Sequence, residues 1–232
     1  GNVELGSQGK EVSITAQNTG VEAGTSSTVS LNGKVKIDSG TGISLSSTTV
    51  DKFPSLLSNG SVSIISAGTG IVAKYAHAVF NELHIQAGTG IDVQSPGYIG
   101  SGNTDTVLDV NGPAEIVAQN TALQIVGASG SKSASSGFVG TFNDAASLRA
   151  SNGNGVQLSA STHSGTTAAR DCSVTLKGQT SIASEKGTGV VVNGPVASTA
   201  QDGASVVFEG ATTIDAAKAI EIKKNNGKGA SV

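Results

Sequence analysis

Apolar residues recur along this chain in one short pattern, in which two apolar-x-apolar units flank a polar turn that ends in glycine. The pattern is clearest in residues 83–93, where Leu83 and Ile85 precede the turn and Ile91 and Val93 follow it. Alternation with a period of two places both apolar side chains of a unit on one face of a short strand. The same pattern occurs at residues 35–45 and 62–73. Recurrence at intervals of tens of residues predicts a solenoid.

Each repeat contains three apolar-x-apolar units, which predict three short strands. The unit after the glycine turn begins at Val21, Ile43, Ile71, Ile91, Leu123, Val156, Val190 and Ile220. The spacing from the last inward residue of the middle unit to this position is always 6 to 8 residues. The first unit is clear at Val29-Ser30-Leu31 and blurred near Leu56 and Val79. A corner of constant length between repeats of variable length indicates coils that stack in register.

These observations predict an all-β fold, a right-handed parallel β-helix of about eight three-stranded coils, in a single segment over residues 1–232. Each strand would pair with its equivalent about 4.8 Å away in the next coil, giving a rod on the order of 40 Å long. The right hand follows from the usual chirality of parallel crossovers. A β-sandwich or barrel also has many short strands and turns, but neither needs a fixed corner length or repeating turn residues.

Polar residues repeat at two of the corners. Asparagine precedes the middle strand in five successive repeats, as Asn32, Asn59, Asn81, Asn111 and Asn143. Asn and Gly tolerate the left-handed backbone conformation of a sharp bend, and stacked amides can hydrogen-bond from coil to coil. The second corner carries Thr19, Thr41, Thr69, Thr89, Thr121, Asn154 and Thr188 at equivalent places. We therefore expect two polar ladders beside the apolar columns.

Composition narrows the class of protein. The apolar fraction is 37% and the formal charge is −3, a combination that does not favour disorder. The mildly acidic balance argues against nucleic acid or an anionic membrane as partner. The single cysteine, Cys172, cannot form an internal disulfide. We expect neither a membrane-spanning run nor a signal peptide in this sequence.

The outward strand positions offer few groups for catalysis. A β-helix that cleaves polysaccharide needs paired or metal-bound carboxylates, whereas Asp92 and Glu221 have no acidic neighbour in their column. His84 and Glu115 would lie in adjacent coils, but a dyad there would also need a serine nucleophile, and serine is abundant throughout the chain. No Cys or His residues have the spacing of a zinc site. We expect no catalytic residue, no metal site and no cofactor.

The third corner, where one coil passes to the next, varies most in length. Its segments are residues 46–54, 74–77, 94–106, 127–137, 159–172 and 193–204. Insertions in a solenoid collect on one edge, and that edge often binds a ligand. The candidate ligand-binding residues of the loop edge are Tyr98, Asn103, Asp105, Phe138, Asn143, Asp144, His163 and Arg170.

The repeat resembles that of the passenger domains of bacterial autotransporters, which are secreted by the type V route through their own outer-membrane barrel. Residues 29–37 (VSLNGKVKI), 187–192 (GTGVVV) and 208–214 (FEGATTI) carry the resemblance, which covers roughly residues 3–222. It implies a location at the bacterial cell surface or outside the cell, with membrane contact only through a C-terminal barrel missing from this sequence. We expect a fragment of a longer passenger domain, because the last residues show no polar cap.

The resemblance implies a non-enzymatic adhesin. Such a segment would attach to a host surface glycan or extracellular matrix protein, or join bacteria to one another in aggregates and biofilm. One alternative is a carbohydrate-active β-helix similar to a phage tailspike or polysaccharide lyase, which would need loop carboxylates such as Asp105 and Asp144 to converge on a groove. A second alternative is a purely structural stalk.

Overall fold

A computed structural model describes residues 1–49, 52–94, 106–126, 129–130, 137–159, 162–163, 172–194, 203–223 and 230–232. Every helix or strand in these ranges is a β-strand. The strands are β1 (Asn2–Ala23), β2 (Thr28–Ser46), β3 (Ser55–Ser58), β4 (Ser61–Lys74), β5 (His77–Phe80), β6 (Glu82–Gln94), β7 (Thr106–Val110), β8 (Ala114–Ala118), β9 (Leu123–Val126), β10 (Ser129–Gly130), β11 (Phe138–Phe142), β12 (Ala146–Ala150), β13 (Val156–Ser159), β14 (Thr162–His163), β15 (Cys172–Leu176), β16 (Thr180–Asn193), β17 (Ala204–Phe208), β18 (Thr212–Lys223) and β19 (Ala230–Ser231).

The strands stack in parallel, each beside its equivalent one coil away. The inward column of the middle strand shows this register from end to end: Val12, Val35, Val62, Leu83, Ala114, Ala146, Thr180 and Thr212. We number the levels of the solenoid 1 to 8 by these residues in order. The prediction of an all-β parallel β-helix is confirmed.

Levels 2 to 7 are complete turns, because all three strands of each pair with a level on either side. The solenoid thus has about six full turns, slightly fewer than the predicted eight coils. The difference lies in levels 1 and 8. Within the described residues, neither of these has neighbours on both sides along all three strands.

Hydrogen bonding continues through the second corner in most levels, where the sequence pattern predicts two separate strands. In level 3, β4 bends between Ser66 and Thr69, and its register with β6 shifts at that point. The Ser66 hydroxyl lies 2.7 Å from the Gly40 carbonyl oxygen of level 2 and 3.0 Å from that of Thr69. The hydrogen bond to Gly40 joins the bend of level 3 to level 2. In levels 5 and 6 the two strands separate, as β8 with β9 and β12 with β13.

The inward side chains form one core of Val, Ile, Leu and Ala, with a few aromatic rings. Phe138 and Phe142 are both buried in β11. A Cβ on Gly140, which lies between them, would come within 2.6 Å of the Phe138 ring. The glycine therefore provides the space that the ring occupies. Tyr75, at the end of level 3, is also buried, and its backbone N–H donates to the Thr106 hydroxyl at 3.0 Å.

Glycine at the second corner packs against an isoleucine of the next level. A Cβ on any of these glycines would lie closer than 3.0 Å to the Cγ2 atom of its isoleucine. The pairs are Gly20/Ile37, Gly42/Ile64, Gly70/Ile85, Gly90/Ile116, Gly155/Ile182 and Gly189/Ile214. Between levels 5 and 6 the corner residue is instead Ala122, and the next level presents Leu148. Both of these side chains are fully buried.

Candidate functional site

Half of the predicted loop-edge residues lie outside the part of the chain that the structure describes. They are Tyr98, Asn103, Asp105 and Arg170. His163 belongs to the short strand β14, whose backbone pairs with β10. The prediction for His163 concerns its side chain, which lies outside the described part as well. A ligand-binding role for these five residues stays a prediction.

The burial of Phe138 corrects its predicted role in ligand binding. Its side chain is only 1% exposed, in a column between Thr106 of level 5 and Cys172 of level 7. The reason is the alternation of residues 138–142, in which Phe138 and Phe142 face inward. This segment is a first-strand unit, so the preceding loop ends one residue before the ring. The alternation was the signal that could have placed Phe138 in the core.

Asn143 and Asp144 lie at the first corner, and both bond within the solenoid. The Asn143 side-chain amide donates to the Asn111 side-chain oxygen at 3.0 Å, as Asn59 does to Asn32 at 2.8 Å. Asp144 accepts the backbone N–H of Ala145 at 2.7 Å. The predicted asparagine ladder is therefore present between levels 2 and 3 and between levels 5 and 6. These contacts give the first corner a structural role.

His84 and Glu115 lie in adjacent levels, as their predicted column requires. The distance from His84 Nδ1 to the Glu115 carboxylate is 3.5 Å, and His84 Nε2 lies 2.8 Å from the Glu82 carboxylate. Both ring nitrogens thus face acidic groups on an open strand face. Neither is placed to take a proton from a serine hydroxyl. The arrangement can bind a ligand that forms hydrogen bonds on this open strand face.

One extended surface feature is an outward column of the middle strand, two residues nearer the second corner than His84. We call it the corner-side column. In levels 1 to 8 it consists of Thr15, Asp38, Ile65, Gln86, Val117, Arg149, Ala183 and Asp215. Ile65 is 54% exposed and Val117 is 37% exposed. Two aliphatic side chains thus project to solvent between polar neighbours.

A groove runs beside the corner-side column, along the axis of the solenoid. Its volume is about 510 Å³, and its lining extends from Thr15 in level 1 to Ser151 in level 6. At about 4.8 Å per level, five steps give a length of roughly 24 Å. The amides of Gln17, Gln86 and Gln119 also line it. The groove combines an apolar surface with hydrogen-bonding groups along a line.

Neither this groove nor the buried serines of the second corner were predicted from the sequence. The Ser39 hydroxyl donates to the Thr41 carbonyl at 2.7 Å, and the Ser184 hydroxyl donates to the Gly153 carbonyl of the previous level at 2.7 Å. Ser39, Ser66 and Ser184 are all buried. Their signal was a serine two to four residues before the corner Thr at equivalent places. The groove has no local signal in the sequence, because equivalent lining residues of successive levels are more than twenty positions apart in the chain.

Glu221, on the third strand of level 8, has a shifted pKa. Its pKa lies below the usual value for a glutamate, chiefly because the Lys218 ammonium donates a hydrogen bond to its carboxylate at 3.1 Å. Lys223, 3.5 Å away, acts in the same direction. Glu221 thus has Val191 and no acid beside it in its column, and its charged partners are the basic side chains of Lys218 and Lys223.

Two further observations concern the described residues. They contain no helix that is long and apolar enough to cross a membrane. They also contain no group of three or more His, Cys, Asp or Glu side chains arranged to hold a metal ion. In comparisons with known proteins, no family model, no curated protein and no solved structure matches the chain.

Proposed function

We propose that this chain is a non-enzymatic adhesive segment that binds through the side of its solenoid. Its ligands would be a surface glycan, an extracellular matrix protein or another copy of the chain. The observation that carries the proposal is the groove beside the corner-side column, which crosses six levels. A long, open groove without clustered catalytic groups suits the binding of an extended polymer better than the transformation of a small molecule.

The chemistry of the groove supports a polymer ligand. Exposed Ile65 and Val117 offer apolar contact, and the amides of Gln86 and Gln119 can donate to and accept from hydroxyl or peptide groups. Each such hydrogen bond contributes about 0.5 to 1.5 kcal/mol. Because each of six levels contributes to the lining, a ligand lying along the axis would accumulate several weak contacts. Affinity would then depend on the length of ligand bound.

The acidic and basic groups of the solenoid faces support the non-enzymatic part of the proposal. The carboxylate of Asp92 has side-chain amides as neighbours, since it accepts from Gln94 at 2.6 Å and from Gln124 at 3.3 Å. His84 faces carboxylates with both nitrogens. In its column Asp92 lies between Val72 and Gln124, so it lacks the second carboxylate of an adjacent level that glycoside cleavage would need.

We also propose a location at the bacterial cell surface, as part of an autotransporter passenger domain. The repeat units that carry the resemblance, with Asn-Gly and Gly-Thr-Gly corners, lie throughout the stacked levels. A side-binding rod is suited to that place, because it presents its groove away from the membrane to glycans or to neighbouring cells.

The test is binding of the chain to an array of immobilised polysaccharides and matrix proteins. The key variant carries Ile65→Lys and Val117→Lys, which fill the groove with charge. The matched control carries Leu57→Lys and Val207→Lys, two aliphatic side chains that are 44% and 43% exposed on the first-strand face. We expect the groove variant to bind at least about tenfold more weakly than wild type, a loss of about 1.4 kcal/mol.

The control variant should bind as the wild type does. Equal losses in the two variants would show that added positive charge, and not the groove, determines binding. A wild-type chain that binds nothing on the array and joins no cells or coated beads would contradict the adhesive role and favour a stalk.

A further inference from the structure

We propose that the corner-side column is a docking surface for a second copy of this chain, in an antiparallel dimer centred on Gln86. The inference rests on the adhesive role proposed above and names one partner for it. The observation is that, counted outward from Gln86 in level 4, the column has the same order of residue types in both directions. On either side of Gln86 come an aliphatic residue, then a charged residue, and the two charges are opposite in sign.

A two-fold axis that runs parallel to the strands and passes through level 4 relates two copies whose solenoid axes point in opposite directions. The corner-side columns of the two copies then face each other. Ile65 of level 3 then faces Val117 of level 5 in the other copy, and Asp38 of level 2 faces Arg149 of level 6. Gln86 faces its own copy, and two amides can donate to and accept from each other. Such an interface is isologous, so each of these contacts except the central one occurs twice.

The charges of the column exclude the other simple arrangements. A two-fold axis along the solenoid would place Asp38 against Asp38 and Arg149 against Arg149. Moving the antiparallel register by one level in one direction would place Asp38 against Val117 and Arg149 against Thr15. Moving it in the other direction would place Asp38 against Ala183 and Arg149 against Ile65. Neither charge then faces an opposite charge. Opposed like charges and unpaired buried charges both disfavour an interface. Of these arrangements, only the antiparallel one centred on Gln86 pairs Asp38 with Arg149 and Ile65 with Val117.

Both charged side chains are available for an intermolecular contact. Asp38 and Arg149 are exposed, and within the described residues neither has an ion-pair partner in its own chain. The exposed Ile65 and Val117 would be covered by the partner. These are the features of a surface patch whose complement is absent from the single chain.

The next outward column is compatible with the same docking. In the antiparallel register Lys36 would face Ser147, and Glu115 would face Ser63, so no two ammonium or carboxylate groups oppose each other there. His84, at the centre of this column, would face its own copy. Glu82 would face its own copy, but it lies four residues earlier in the strand than Gln86, about 13 Å away. The contact is therefore closest at the second corner and opens towards the first.

The pairs described above come from one column over five levels, so we place the contact in the weak, transient class of interfaces. Many copies on two cell surfaces would act together, so weak single contacts can still hold cells. For the chain in solution, the test is sedimentation over a concentration series that reaches about 1 mM, where weak dimers of this class form.

Charge reversal gives the first test. Asp38→Arg and Arg149→Asp each oppose like charges at two symmetric points, so we expect each to weaken dimerisation at least about tenfold. An equal mixture of the two variants should dimerise again, because each substituted position then faces the other. The double variant should also dimerise. Glu22→Lys and Lys177→Asp, which reverse exposed charges elsewhere, should have no effect.

Cross-linking tests the register. With a short bis-maleimide, the Gln86→Cys variant should form dimers several-fold faster than Val207→Cys, a variant on the first-strand face. The wild type gives the background, since Cys172 is only 1% exposed. The proposal is overturned by a wild type that stays monomeric, by controls that weaken dimerisation equally, by a mixture that does not recover, or by equal cross-linking rates.

The adhesive role and the dimer can each be disproved without the other. A chain that binds a glycan or matrix protein on the array but remains a monomer retains the adhesive role and loses the dimer. A chain that forms the Gln86-centred dimer but binds nothing on the array has a second copy as its ligand. If both hold, the array ligand and the dimer should compete, because they cover the same side chains.

Discussion

The second corner between levels 5 and 6 differs from the same corner elsewhere in the solenoid, and the difference explains why glycine is common there. In six pairs of levels the corner glycine contacts the Cγ2 atom of an isoleucine, as Gly70 does with Ile85. Between levels 5 and 6 the residues are Ala122 and Leu148. The chain passes through that corner with a Cβ atom in place, and the strands on both sides keep their parallel register.

Side-chain branching accounts for this difference. Isoleucine branches at Cβ and carries Cγ2 close to the backbone, whereas leucine branches one atom further out. Where the neighbour is isoleucine, Cγ2 occupies the space that a Cβ of the corner residue would need. Where the neighbour is leucine, the space is free and alanine fills it. The corner glycine is thus set by the packing between levels, and the turn itself does not demand it.

The largest effect is expected when a corner glycine beside isoleucine gains a Cβ. In the Gly70→Ala variant the new atom would overlap Ile85 and approach the Gly90 carbonyl oxygen. The backbone of Gly70 is not in the left-handed region, so the substitution tests the close approach alone. Overpacking of this kind costs about 1 to 3 kcal/mol. Urea unfolding followed by circular dichroism measures the loss.

Ala67→Ser is the control for Gly70→Ala, because it changes an exposed residue of the same corner. It should leave the unfolding midpoint nearly unchanged. A Gly70→Ala variant as stable as the wild type would show that neighbouring levels separate easily, and the branching argument would then fail.

A second change should restore part of that loss. Ile85→Leu in the Gly70→Ala background copies the arrangement of Ala122 and Leu148. We expect a favourable coupling of about 1 kcal/mol in the double-mutant cycle, within the range for residues in contact. The measurement needs the two single variants, the double variant and the wild type under the same denaturant series. Additive losses would mean that the two positions do not share their space.

The fold could be predicted from the sequence because its signals are local and repeated. The alternation around Leu83 and Ile85 predicts a strand, and the constant corner that follows predicts how strands align. Alignment in turn predicts contacts between distant residues, and the structure confirms that His84 lies beside Glu115. Each level repeats the same information, so a blurred unit such as that near Val79 does not obscure the whole.

The remaining features depend on contacts between levels that no single repeat encodes. The match between Gly70 and Ile85 is visible only when atoms of two levels are placed together. Phe138 was assigned to a loop because the preceding segment has no repeat, and its burial depends on the space at Gly140. The groove likewise joins residues of six levels. Prediction therefore succeeded for the apolar strand units and for the asparagine ladder of the first corner, and it failed where packing between levels decides.

The smallest effect concerns the exceptional corner itself. Ala122→Gly would give that corner the residue found at the others, yet Leu148 leaves the Cβ position open, so the substitution removes a packed methyl group and adds backbone freedom. We expect a loss of about 0.5 to 1 kcal/mol, as for glycine in a strand interior.

Adding Leu148→Ile to Ala122→Gly should recover stability, because it rebuilds the regular pair, whereas Leu148→Ile alone should be destabilising. If Leu148→Ile is tolerated equally well with either residue at position 122, alanine and leucine are not matched there. The choice between glycine and alanine would then lie in the turn and not in the packing between levels.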